Sequence, residues 1–147
     1  LREKGLEFRW YIIGVGPEEA ALQEQARSLG IEQDVCFLGE QANPYPFLRA
    51  CDVYLQPSRF EGKSIAVDEA MVLCKPILLT DFSTAADQVT SGENALIVPM
   101  TPEGIAEGLE KLLTDGELRQ RFHDALEAED YTNENEIEKV YSLIGSE

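Results

Sequence analysis

Short apolar runs alternate with longer amphipathic stretches along this 147-residue chain, and that rhythm permits few architectures. A run of four to eight apolar residues suits a strand buried on both faces, and the stretch after it supplies the helix that covers it. Repetition of that unit is the signature of a parallel sheet built from strand–helix crossovers. The runs predict strands at 8–14, 35–38, 53–56, 76–80 and 95–98. The intervening stretches predict helices over 18–29, 47–50, 64–73, 102–114, 115 to about 127, and 133–144. Local punctuation agrees: Pro17 suits a helix start, where no amide donor is needed, and Gly30 suits a stop. Ser64 is a plausible N-cap, and Ala66, Ala70 and Leu73 fall on one packing face. The fold class expected is α/β, a Rossmann-like parallel sheet flanked by helices, over one domain spanning 1–147.

Composition narrows the partners. The chain is 44% apolar, enough for a substantial core, and carries 12 basic against 28 acidic residues for a net charge of −16. Nucleic acid is excluded as a partner, since its binding rests on Lys and Arg at phosphates, and anionic membrane surfaces are disfavoured alike. Cys36, Cys51 and Cys74 are odd in number, lie among apolar neighbours and lack metal-ligand spacing, so buried free thiols in a reducing cytoplasm are expected. His123 is the only histidine, which leaves no multi-histidine metal cluster; it falls in a charged helical stretch. Leu1 in place of Met reads as an internal residue of a longer chain.

In open parallel sheets ligands bind beyond the carboxyl ends of the strands, and two loops there carry chemistry. Gly14-Val15-Gly16-Pro17 reads either as a tight strand-to-helix turn or as backbone laid close to a nucleotide or sugar; a dinucleotide fingerprint is incomplete, because Glu19 stands where a third glycine is expected. The second loop, Pro57 to Ser64, leads into Ile65-Ala66-Val67-Asp68-Glu69. Gly62 allows unusual backbone or close approach of a ligand. The amides of Ser64, Ile65 and Ala66 emerge at a helix N-terminus, a site suited to a diphosphate. Glu69 lies about 7.5 Å further along the axis and leans back toward that end, offering two acceptors for vicinal ribose hydroxyls. Glu61, outside the helix, is free to face a sugar held beyond the phosphates, and Lys63 stands beside the anion site. Taken singly, Glu61 and Glu69 read as solvated charges of an acidic chain.

Their spacing changes the reading. Glu61-Gly62 and Glu69-Ala70-Met71, a glutamate followed by seven residues and a second glutamate, resemble the donor-binding motif of glycogen-synthase-like retaining glycosyltransferases of the two-domain GT-B type. Further blocks resemble the same family in the same order: Ile12 to Pro17, Val35 to Gly39, Cys51-Asp52-Val53 with Gln56-Pro57-Ser58, Lys75-Pro76-Ile77 with Thr80-Asp81, and Gly92 to Val98. The resemblance spans nearly the whole chain. It implies the C-terminal, nucleotide-sugar-binding half of such an enzyme, acting in bacterial polysaccharide or glycoconjugate synthesis in the cytoplasm or at the inner membrane face.

By that resemblance Glu69 binds the nucleotide ribose, the amides after Gly62 the diphosphate, and Glu61 the donor sugar near the reacting carbon. Gly14, Gly16, Lys63, Ser64, Ile65 and Ala66 complete the substrate contacts, with a uridine diphosphate sugar as donor and neither metal nor cofactor. Against the family pattern, the chain lacks the first strand–helix unit of this domain, with its Arg and Lys, and the N-terminal acceptor domain, so the isolated chain is expected to be inactive. Lys63 and Ser64 replace an aromatic and a glycine, and Cys74 replaces a glycine before Lys75-Pro76. Competing readings are an epimerase-like half of the same fold, a non-catalytic sugar-nucleotide binder, and a receiver-type signalling domain using Asp52. Finally, Ile137, Val140, Tyr141 and Ile144 form one apolar stripe on the last predicted helix; with its natural partner, the N-terminal domain, absent, the stripe is expected to dock on the surface left by the missing first strand–helix unit or to self-associate through it.

Overall fold

A computed structural model of the protein describes residues 1–129; the helix expected at 133–144, with its apolar stripe, lies outside the described residues. The chain forms two compact units, the first spanning Leu1–Ala50 and the second beginning at Cys51.

In the first unit, strands β1 (Trp10–Ile13) and β2 (Val35–Gly39) pair in parallel, with Trp10 opposite Val35 and a register shift between Ile12 and Ile13. Helix α1 (Glu19–Ser28) crosses between them, and α2 (Tyr45–Ala50) follows β2. Gly30, at φ 65°, ends α1 as expected: the Ile31 amide donates to the Ala26 carbonyl and the Gly30 amide to Arg27, the double reverse bond that satisfies orphan helix carbonyls. β1 differs from expectation in burial. Trp10, Tyr11 and Ile13 are 39%, 49% and 38% exposed, so an apolar run identified the strand but not what covers its faces.

The second unit holds β3 (Tyr54–Gln56), β4 (Ile77–Thr80) and β5 (Ala95–Val98), parallel in that order, with Leu55 opposite Leu78 and Leu78 opposite Leu96. Alternation along β4 sorts its side chains onto two faces. Ile77 and Leu79 join Val67, Ala70 and Met71 of helix α3 (Ile65–Val72) and Ala85 of helix α4 (Ala85–Gln88) in one cluster. Leu78 points the other way, into a cluster with Leu112 of α5 (Pro102–Thr114) and Leu118 and Phe122 of α6 (Gly116–Glu127). The caps follow the chemistry of the termini: Ser64 for α3, Thr101 for α5 and Asp115 for α6 each accept from an amide of the first turn through the side-chain oxygen. α5 sits tight on the sheet through Gly108, where an added Cβ would lie 2.6 Å from Leu78 and 2.8 Å from Val98.

The three thiols are free and half-buried, less enclosed than their apolar neighbours suggested. Burial raises the pKa of Cys51 and of Cys74, the latter helped by the nearby Glu127 carboxylate. His123 of α6 is half-buried, and its Nδ1 donates to the Cys74 carbonyl at 3.0 Å, tying α6 to the end of α3. Among the described residues no helix is long and apolar enough to cross a membrane.

Candidate functional site

The carboxyl ends of β3 and β4 assemble the loop that the sequence singled out. β3 projects Tyr54 and Gln56 to one side, two residues apart. The Tyr54 hydroxyl donates to Gln56 Oε1, and Gln56 Nε2 donates to Glu61 Oε1 at 2.8 Å and Ser58 Oγ at 3.2 Å. Ser58 Oγ in turn donates to the same Glu61 oxygen at 2.8 Å. At the end of β4 the fully buried Thr80 hydroxyl is shared between the Ser58 carbonyl at 2.5 Å and the Gln56 carbonyl at 3.4 Å. Strand, loop and first glutamate are thus one bonded unit.

Glu61 is tied into this unit through one of its two carboxylate oxygens. Oε1 is held by two donors, while Oε2 has no hydrogen-bond partner among the described residues. One oxygen fixes the rotamer and the other remains an open acceptor, an arrangement that orients a charge at little entropic cost. Glu69, half-buried on α3, acts on the same neighbourhood. Burial raises the Tyr54 pKa first, and the Glu61 and Glu69 carboxylates push it further, because a phenolate there would face both.

The helix N-terminus is narrower than expected as an anion site. The Ser64 amide donates to Gln88 Oε1 at 2.9 Å, so it is occupied, and the Ser64 hydroxyl caps the Val67 amide at 3.4 Å. That leaves the amides of Ile65 and Ala66 as the open pair, without partners among the described residues. Gly62 has ordinary negative φ, and an added Cβ would meet nothing within 4 Å, so its contribution is open approach rather than special backbone. Lys63 Nζ meets Asp68 Oδ2 at 3.1 Å. Gly14 and Gly16 lie in the first unit; Gly14 has φ 124°, a conformation closed to side chains, and its amide continues the ladder to the Gly39 carbonyl at 2.8 Å.

The family profile described as glycosyl transferases group 1 matches residues 1–128. The chain belongs to that family.

Its relatives are larger. It is 31% identical to an uncharacterized glycosyltransferase of Haemophilus influenzae, over 98% of this chain and 42% of the relative. It is also 31% identical to the lipopolysaccharide core biosynthesis glycosyltransferase LpsE of Rhizobium meliloti, over 76% of this chain and 33% of that protein. Among solved structures, Anabaena HepE in complex with UDP superposes with a TM-score of 0.80 at 23% identity, covering 92% of this chain and 41% of HepE. These structural neighbours are GT-B enzymes, and the α/β Rossmann-like arrangement is the one they share. The chain spans between about a fifth and two fifths of the length of the curated relatives it matches.

The residues that support the loop were not among the site residues expected from the sequence. Tyr54, Gln56 and Ser58 could have been suspected from their place beside Glu61. Thr84 and Gln88 could not: they come from α4, a helix of four residues that leaves no periodic trace. The Thr84 hydroxyl is shared between the Glu61 and Gly62 carbonyls, at 2.9 Å each.

Proposed function

We propose that this chain is the donor-binding half of a retaining glycosyltransferase that moves a hexosyl group from a nucleoside diphosphate sugar, most simply a uridine diphosphate sugar, to an acceptor held by a separate N-terminal domain. The observation that carries the reading is the pair of open amides, Ile65 and Ala66, at the N-terminus of α3, flanked by Glu61 before the helix and Glu69 inside it. Two convergent N–H groups and the helix dipole suit a diphosphate. Glu69 offers its oxygens to ribose hydroxyls, and the open Oε2 of Glu61 accepts from donor-sugar hydroxyls near the reacting carbon. HepE has been solved with UDP and with UDP-glucose, which supports the ligand class.

The chemistry follows from where charge develops. As the anomeric carbon–oxygen bond breaks, the departing diphosphate gains negative charge, and amides already aimed at it lower the barrier without reorganising. Lys63 adds a cation: its contact with Asp68 is an exposed ion pair, worth about 0–1 kcal/mol, so exchange of Asp68 for a phosphate oxygen is cheap. The acceptor hydroxyl arrives on the face the diphosphate leaves, bonds to the anomeric carbon with retained configuration, and passes its proton to the departing diphosphate oxygen. Without the acceptor domain the isolated chain binds donor weakly and turns nothing over. The likeness to LpsE, whose name gives lipopolysaccharide core biosynthesis, favours a role in polysaccharide or glycoconjugate synthesis.

The decisive experiment is turnover by the full-length enzyme against a panel of nucleotide sugars, with the anomeric configuration of the product read by proton NMR. An inverted product refutes the retaining assignment. Epimerisation of the sugar nucleotide without transfer moves the chain to a different reaction class.

A further inference from the structure

We infer that Gln88 is a positioning residue for the diphosphate subsite: a side-chain clamp from α4 that sets the first turn of α3. This rests on the donor-site reading above.

The geometry is specific. Gln88 Oε1 accepts from the Ser64 amide at 2.9 Å, while Gln88 Nε2 donates to the Ser64 carbonyl at 2.9 Å and to Asp68 Oδ1 at 2.9 Å. A primary amide has one carbonyl and two N–H groups, and here all three meet a partner. The pairing with Ser64 copies what a neighbouring strand does to one residue, grasping N–H and C=O together. It acts on the N-cap, whose φ of −84° and ψ of 113° aim the amides of Ile65 and Ala66. Asp68 spends its second oxygen on Lys63 at 3.1 Å, so the chain of contacts runs from Ser64 through Gln88 and Asp68 to the one lysine of the loop.

Between the pinned Glu61 and the cap at Ser64 the loop is exposed at Gly62 and Lys63, so this stretch depends on support from outside it. Gly62 is open on its Cβ side, and Lys63 is 74% exposed. α4, by contrast, is anchored: Phe82, Ala85 and Val89 are 2%, 1% and 3% exposed within the cluster that also holds Val67 and Ala70 of α3. Thr84 at its start holds the carbonyls on the Glu61 side, and Gln88 at its end holds Ser64. An element packed into the core thereby transmits its fixed position to amides at the surface. Donor groups held in place by such supporting bonds lose less freedom when the ligand arrives.

The test uses this 147-residue chain, titrated with UDP and with uridine by calorimetry or amide chemical shifts. UDP reaches the amide subsite, whereas uridine engages the ribose side alone. Gln88→Met keeps size and shape but removes every hydrogen bond; Gln88→Glu keeps the acceptor and loses both donations. Both should raise the dissociation constant for UDP about tenfold, an effect of lost hydrogen bonds to a positioned turn, and leave that for uridine within about twofold. Leu112→Val, in the cluster on the opposite sheet face, lowers the melting temperature as a control and leaves the UDP-to-uridine ratio unchanged. Equal UDP affinity in wild type and both Gln88 variants overturns the clamp. A parallel loss for UDP and uridine overturns it too, since that is general loosening. If the wild type itself fails to prefer UDP over uridine, the donor-site reading falls, and the clamp with it.

Discussion

Cys74 stands in the left-handed region at φ 51°, the only residue other than glycine to do so among those described. It ends α3 as Gly30 ends α1: the Cys74 amide donates to the Met71 carbonyl at 2.9 Å and the Lys75 amide to Ala70 at 3.0 Å. That motif favours glycine at this position, because a Cβ in left-handed backbone crowds the carbonyl oxygen at roughly 1–2 kcal/mol. Cys74→Gly removes that strain. Two terms oppose it: the greater freedom of glycine in the unfolded chain, about 0.5–1 kcal/mol, and loss of the half-buried thiol from the cluster around Met71, about 0.5 kcal/mol. At mid-range values the net is a gain of about 0.25 kcal/mol. Cys74→Ala keeps the strain and loses the thiol, a cost of about 0.5 kcal/mol. The two variants should therefore differ by about 0.75 kcal/mol, or about 2.5 °C in melting temperature for a chain of this size. Urea unfolding of the three proteins, with equal slopes, measures it. An alanine variant as stable as the glycine variant would show that the left-handed backbone at Cys74 stores no strain.

In the full-length enzyme Glu69→Ala should chiefly raise the donor KM and Glu61→Ala should chiefly lower kcat, each by ten- to a hundredfold for the roughly 1.5–3 kcal/mol of a charged hydrogen bond; steady-state kinetics with wild-type values for both would dismiss the paired-glutamate site. Gly104→Ala should destabilise by about 1–3 kcal/mol, since its Cβ would lie 2.7 Å from the Pro99 carbonyl oxygen, which is rigid backbone; denaturant melts decide it, and an unchanged midpoint means the helix start can shift. Stability should decline above about pH 9. Cys51, Cys74 and Tyr54 have pKa values raised above their ordinary 9.0 and 10.0, so the unfolded chain releases protons there that the folded chain still holds. Melting temperature against pH checks this, and Tyr54→Phe should flatten the slope above pH 10.

The element order was legible because it rests on local physics. Apolar runs, N-caps and helix stops act within a few residues, so β2 and β5, α5 and the stop at Gly30 lie within a residue of where the sequence puts them. The spacing of Glu61 and Glu69 was equally legible, since the helix that separates them is itself local. α4 was not, because four residues make no period, and the charges around the loop were not, because a sequence does not say which carboxylate meets which donor. Ser64 and Gln88 are 24 residues apart, and Thr80 and Ser58 are 22 apart. Those pairs meet only because β3 and β4 lie side by side in parallel and bring their carboxyl ends to one place. Tertiary structure alone brought Gln88 to the Ser64 amide and so left Ile65 and Ala66 as the open pair, whereas the contacts of Glu61 with Gln56 and Ser58 and of Lys63 with Asp68 join residues no more than five apart. Hydrogen bonds are short-ranged and directional, so a pair remote in sequence forms only where the packed fold brings donor and acceptor together.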